Sequence, residues 1–298
     1  MVKHIARLFD RVHKARPDLA MATADTQVSR WIRKFSASPN HFAVMKIGGE
    51  PVQKFSDVIC EDIAVLARLD LHPPVLYGWN ERLTAELKEN GIKTVKHKSG
   101  PRITLPPVMP HLKKVEELQG KILVEGLRKN NVRAEIVRGA FEAEKLELEG
   151  VEEEHYTGRI TAVDHEKIRI CLNNGIVPIL SPIGYSPKGE MLNVNGDSAA
   201  KELVLALTPE KYIILTPTGG VLDSENHIIS RISIGEDYQA LVEQGTITGD
   251  MRLKVGELGE LVVTLHSMGK SLAVHIGHPG KILVELFTDD GCGTHIVR

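Results

Sequence analysis

Cysteine is scarce in this chain: three among 298 residues, at positions 60, 171 and 292. An odd, unclustered set excludes a disulfide framework and offers no zinc-ligand spacing. Each stands among apolar or small residues, which reads as a buried reduced thiol rather than a nucleophile and points to reducing cytoplasm. Long apolar runs are missing too. No stretch approaches the roughly 20 apolar residues that cross a bilayer. The opening MVKHIARLFDRVHKARPDLA also lacks the apolar core of a secretory signal, so no membrane partner is expected. Neither charge is in excess: 37 Lys and Arg stand against 39 Asp and Glu, a net charge of −2. Nucleic acid finds no basic footprint. Internal repeats, low-complexity tracts and the GxxxxGK(S/T) spacing of a P-loop are absent as well.

What is present suits small-molecule chemistry. The chain is 42% hydrophobic and 26% charged, and long enough for one large α/β domain or two lobes. Residues 1–40 stand apart. Ile5, Leu8, Phe9 and Val12 recur at helical spacing, as do Val28, Trp31, Ile32 and Phe35, before a breaker at 36–40. The apolar stripe of this arm needs cover, either from its own domain or from a neighbouring subunit.

From residue 41, short apolar strands alternate with helices, the pattern of a mostly parallel sheet covered on both faces. Strands are expected at 42–46, 74–77, 133–137, 176–180, 211–216, 271–276 and 294–297, and a hairpin at 221–229. Helices are expected over 111–131 and 166–174, the second capped by Asp164 and ended by Gly175. Two more are expected over 198–207, opened by Asn195 or Asp197, and over 250–269, about five turns long.

Five segments carry candidate chemistry. In VMKIGG, Lys46 ends a buried strand and Gly48-Gly49 allow a turn whose backbone N–H groups can cradle an anion. In LNVNGDSAAKEL, Asn193, Asn195 and Asp197 precede a helix; capping explains one of the three. Lys254 lies in the first turns of a helix after Gly249, where a solvated lysine is the plain alternative. Arg102 in GPRIT is held by a short strand, a setting suited to carboxylate recognition. LTPTGGVLD runs from a strand through Thr216 into Gly219-Gly220, a turn that leaves room for a base or phosphate.

In order and spacing these segments resemble the amino-acid kinase family, most closely its acetylglutamate kinases and the kinase-like domains of bifunctional N-acetylglutamate synthase/kinases. The likeness runs from about residue 30 to the C-terminus and includes FAVMKIGG, GPRIT, GAFEAEKLE, VPILSPIG, LNVNGDSAAKEL, LTPTGGVLD, GDMRLKV and ELFTDDGCGTHIVR. It implies a three-layer α-β-α sandwich with an open, mostly parallel sheet behind an N-terminal helical arm. It also implies an acetylglutamate-binding lobe over 41–190 and a nucleotide-binding lobe over 191–298. The ending at GTHIVR matches the point where the kinase module of such proteins stops, so no acetyltransferase domain is expected after it.

The implied activity is ATP-dependent phosphorylation of the side-chain carboxylate of N-acetyl-L-glutamate, in arginine biosynthesis, with Mg²⁺ on the ATP phosphates. The alternative is a weakly active, arginine-sensing or oligomerising domain associated with N-acetylglutamate synthase. Carried over residue by residue, Lys46 contacts the transferring phosphoryl group and Lys254 the nucleotide side, with Asp197 orienting both. Arg102 and Asn193 bind acetylglutamate, beside Gly48, Gly49 and Gly78; Thr216, Gly219 and Gly220 serve the nucleotide. No protein metal ligands are implied. Arginine-sensitive members pair an extra N-terminal helix, which also joins subunits into a homo-oligomer, with an effector pocket near the C-terminal segment. Here that points to Glu285 and Gly291, with His275 and His278 competing for the pocket's histidine. One loop departs from the family. Its glycine turn after the second strand is here Gly78-Trp79-Asn80-Glu81, placing an indole and a carboxylate where backbone N–H groups approach the ligand.

Overall fold

The computed structural model describes residues 2–18, 20–98 and 100–298. Two helices, α1 (Val2–Ala15) and α2 (Met21–Ala37), lead into strand β1 (Ala43–Ile47). Then come α3 (Gly49–Ala67), β2 (Val75–Tyr77), α4 (Asn80–Glu89), the hairpin of β3 (Val95–Lys96) and β4 (Arg102–Ile103), and α5 (Met109–Lys129). Next are β5 (Ala134–Ile136), β6 (Phe141–Lys145), β7 (Thr157–Val163), α6 (His165–Asn173), β8 (Val177–Leu180), β9 (Ile183–Tyr185) and β10 (Met191–Val194). The chain closes with α7 (Gly196–Leu207), β11 (Lys211–Leu215), β12 (Arg231–Ser233), α8 (Tyr238–Glu243), α9 (Gly249–Ser267), β13 (Ala273–Gly277), α10 (Ile282–Phe287) and β14 (Thr294–Val297).

Eight strands form one sheet in the order β12-β14-β13-β11-β1-β2-β8-β5. Its pairings are parallel except β13 with β14. The central strands are buried on both faces, which is why they read as continuous apolar runs. Side chains alternate across β1: Ala43, Met45 and Ile47 join the core under α3, α5 and the N-terminal helices. Val44 joins the opposite core, under α7 and α9. All seven expected sheet strands are present. Four short strands, β6, β7, β9 and β10, close into a small separate barrel that no periodicity announced.

The helix signals behave as their chemistry requires. Asp164 caps α6 by accepting from the Lys167 N–H, and Gly175 follows at φ +62°. Leu222 bridges Ile228 across the expected hairpin. The stripe of the N-terminal arm is covered by its own chain: Leu8, Val12, Ala24, Val28 and Phe35 are all 0% exposed. Phe35 lies edge-on to Phe42 and to Phe287 of α10. Among the described residues, no helix is long and apolar enough to cross a membrane.

Candidate active site

The parallel strands β1, β2 and β11 end at one edge of the sheet, where a crevice forms beside the helices that follow them. A cavity of about 570 Å³ opens there. Alternation along β1 turns Lys46 to the same face as Val44, toward α7 and α9, with Leu76 and Ile214 as its lateral neighbours. Asn195 caps α7 by accepting from the N–H groups of Asp197 (2.8 Å) and Ser198 (3.2 Å). Capping is thus done by Asn195, and the Asp197 carboxylate is left to face the cavity.

There it joins two cations. Lys46 Nζ lies 2.7 Å and Lys254 Nζ 2.8 Å from the same oxygen, Asp197 Oδ1. The ammonium groups can therefore be no farther apart than the sum of those two bonds, although 208 positions separate Lys46 from Lys254 in sequence. Burial resists ionising all three groups. The lysines outweigh it at Asp197 and hold its carboxyl well below the usual range. At Lys46 burial is outweighed by Asp197, and at longer range by Glu81, so its pKa rises. Lys254 stays lowered, by burial and then by the charge of Lys46. The triad carries a net positive charge and suits an anion.

Arg102, on β4, lines the same cavity. Its guanidinium donates to Asn80 Oδ1 (2.6 Å), Thr84 Oγ1 (2.7 Å) and Thr94 Oγ1, all neutral oxygens. No carboxylate forms an ion pair with it among the described residues. Burial lowers its pKa, opposed by Glu81. A half-buried cation hydrogen-bonded to neutral acceptors, with Glu81 acting on it only from a distance, can take a direct anionic partner. Asn193, nearly buried, donates to Thr104 Oγ1 at 2.9 Å on the cavity wall.

The glycines divide. Gly48 and Gly49 open α3 and line the cavity. A Cβ at Gly49 would meet Glu81 Oε2 at 2.7 Å and the Trp79 Cα at 3.0 Å, so a side chain there would have to move Glu81 and press on the backbone. Gly78 lines the cavity, but its N–H is spent on the Ile47 carbonyl at 2.8 Å. A Cβ on Gly78 would make ordinary contact with Gly49 N at 3.5 Å, so the fold does not demand glycine there.

Trp79, the Gly219-Gly220 turn and Glu285 are held mainly by packing within the chain. The Trp79 indole does not obstruct the ligand's approach: the residue is 4% exposed and packs edge-on against Tyr77, centroids 5.9 Å apart. The chain enters α4 at Asn80; Trp79 borders the cavity but is packed in the core, while Asn80 and Glu81 are exposed to the cavity. Thr216 lines the cavity, but Gly219 and Gly220 do not reach it. They make a tight turn against His278 and Thr294, where side chains would collide.

Glu285 is enclosed by its own chain. It is 0% exposed; Oε1 accepts from the N–H groups of Cys292 (2.9 Å) and Gly293 (3.0 Å), and Oε2 meets His275 Nδ1 at 3.1 Å. Gly291, at φ +67°, presents its carbonyl to Arg16 of the N-terminal arm at 2.5 Å. Burial raises the Glu285 carboxyl to about 7.

Arg159 and Glu257 also line the cavity and were not singled out in the sequence. Glu257 lies one helical turn beyond Lys254, a spacing that could have flagged it. Arg159 shares a strand face with Thr157, a signal lost because the barrel strands were not legible.

A mostly parallel α/β sheet with a strand-end lysine and a helix lysine on one carboxylate, beside glycine turns, makes a crevice for anionic small molecules. The chain belongs to the amino acid kinase family, whose model matches residues 41–262. It is 36% identical over 276 residues to an acetylglutamate kinase of Xylella fastidiosa, covering 91% of this chain and 63% of that one. It is 32% identical over 282 residues to the mitochondrial protein arg-6 of Neurospora crassa, covering 94% of this chain and 32% of that one. The chain spans 63–65% of the length of the Xylella and Xanthomonas relatives. In fold it matches an N-acetylglutamate synthase of Neisseria gonorrhoeae, complexed with coenzyme A and L-arginine, at TM-score 0.81 and 20% identity. That match covers 94% of this chain and 66% of the other.

Proposed function

We propose that this chain transfers the γ-phosphoryl group of ATP to the side-chain carboxylate of N-acetyl-L-glutamate. One observation carries the reading: both ammonium groups meet on Asp197 Oδ1 inside a cavity that also holds Arg102 and Asn193. Transfer between a carboxylate and ATP crowds negative charge at the phosphorus, and catalysis consists of cancelling it. Lys46 takes the transferring group, Lys254 the nucleotide side, and Asp197 keeps the two in register. Arg102 binds the acceptor's other carboxylate, the anion its neutral partners leave it without. Asn193 orients the acetamido end, and Thr216 borders the nucleotide.

The residues fit a polyphosphate, with two cations and the glycine-opened start of α3 along one wall. Mg²⁺ would arrive on the ATP phosphates, where it screens their charge.

The kinase-like, arginine-sensing alternative finds less support, because the Glu285 carboxylate is already satisfied within the chain. A homo-oligomer through the N-terminal helix would use the face of α1 left outside the core; a monomer by light scattering refutes it. The deciding assay is ADP release with N-acetyl-L-glutamate, run beside aspartate and glutamate. Release with acetylglutamate alone supports the reading, and no release above the ATP-only rate refutes it.

A further inference from the structure

The loop after β2 differs from a glycine turn in two ways, and the indole is accounted for by the core. The carboxylate is not. Glu81 is exposed to the cavity in the first turn of α4, and no hydrogen bond or ion pair satisfies it among the described residues. Its Oε2 lies over Gly49, close enough that a single added methyl there would touch it at 2.7 Å. Gly49 opens α3, whose cap residue Gly48 has no side chain to satisfy the first-turn N–H groups. Lys46 and Arg102 both sense the same carboxylate as a stabilising negative charge.

Glu50, the first-turn acid of α3 on the same cavity wall, is paired with Lys54 at 2.7 Å. Glu81 has no such ion pair among the described residues and stands in the cavity among the groups that attract an anion.

We propose that Glu81 is a built-in competitor for the anion cradle over Gly49, which an incoming carboxylate or phosphoryl group must displace. The inference rests on the cavity being the kinase site proposed above and adds what sets its affinity. An anion brought to Gly49 meets the Glu81 carboxylate there. It either forces the Glu81 side chain outward or binds against it. Both routes weaken binding of the group that sits there and leave groups bound elsewhere in the cavity untouched. Glu81 thereby discriminates between the two ends of the cavity, acting on one of the two substrates more than on the other.

The test is equilibrium binding by calorimetry of the whole chain and its Glu81→Gln variant, with three probes: N-acetyl-L-glutamate, ADP and inorganic phosphate. Gln keeps the shape and removes the charge. The expected result is about tenfold tighter binding of phosphate and of whichever substrate places its anion over Gly49. The other substrate should change less than twofold, with thermal stability unaltered. Glu81→Asp, which keeps the charge, should bind like the parent. Unchanged or weaker phosphate binding in Glu81→Gln overturns the proposal. If neither protein binds acetylglutamate or ADP, the kinase reading fails, and the phosphate arm still decides the role of Glu81.

Discussion

Replacing Asp197 by Asn keeps the size of the side chain and removes the charge that holds two ammonium groups together. At separations of 2.7 and 2.8 Å, each attraction is about 6 kcal/mol at an effective dielectric of about 20. Desolvation of the three groups offsets most of that. The Asp197 side chain is 31% exposed, while those of Lys46 and Lys254 are 10% and 15% exposed. Breaking a fully buried pair costs about 3–5 kcal/mol, so a discount for the exposed carboxylate leaves about 2–3. The lysines would then repel one another, and Lys46, held at a strand end, cannot leave. Thermal unfolding should move down by several degrees and be largely restored by ADP or phosphate, which supply the missing charge. Turnover should fall by about 10²–10³, the loss of one preorganised electrostatic element. Titration has a definite sign. Asp197 is depressed below its ordinary 3.8, so its contribution is complete above about pH 4 and fades as pH falls through the lower folded-state value. An Asp197→Asn protein with parental melting temperature and kcat within threefold of the parent would refute the reasoning.

Other consequences can be checked separately. Lys46→Ala and Lys254→Ala should each lower kcat by about 10²–10³; a loss under tenfold in either removes that lysine from the charge-cancelling role. Arg102→Ala should act mainly on acetylglutamate, raising its KM with a smaller change in kcat, and steady-state kinetics showing the reverse would reassign it. Trp79→Gly should destabilise by about 3–5 kcal/mol, since it empties a core position and removes the Tyr77 edge contact, without raising kcat; a rise in kcat would restore the indole as an obstruction. Lys211 is 0% exposed, with Nζ on the carbonyls of Glu285 (2.7 Å) and Thr288 (2.6 Å), and burial brings its pKa down to about 7 from 10.5. The unfolded chain holds that proton more tightly, so Lys211 makes stability rise with pH between about 7 and 10.5; the opposite drift from Glu285 ends near 7, and that from Cys60, raised from 9.0 to about 12, begins only near 9, which leaves about pH 7–9 as the window to read. Urea titrations should show that rise in the parent and lose it in Lys211→Met; parallel profiles refute it.

The sheet was legible because its central strands are buried on both faces and carry almost nothing but apolar side chains. The barrel was not. In β6, FEAEK buries only Phe141 and Ala143, and in β7 the residues after Gly158 are exposed or half-buried. Such short strands look like loop. Helix α3 was missed for another reason: it starts at the glycine turn itself and bends at Phe55, where the backbone leaves helical geometry. For the site, sequence order supplied Lys46, Asp197 and Lys254, but only the alternation of β1 explains why they meet. Met45 and Ile47 point into the other core, so a one-residue slip of that strand would bury the cation among aliphatic side chains. The same logic accounts for the placement of Trp79. A motif places a residue along the chain, whereas the face it turns to depends on where the next helix begins. Here α4 begins at Asn80, so Trp79 goes to the core and the next acid to the cavity. The departure from a glycine turn thus acts through charge at Glu81 more than through the bulk of the indole.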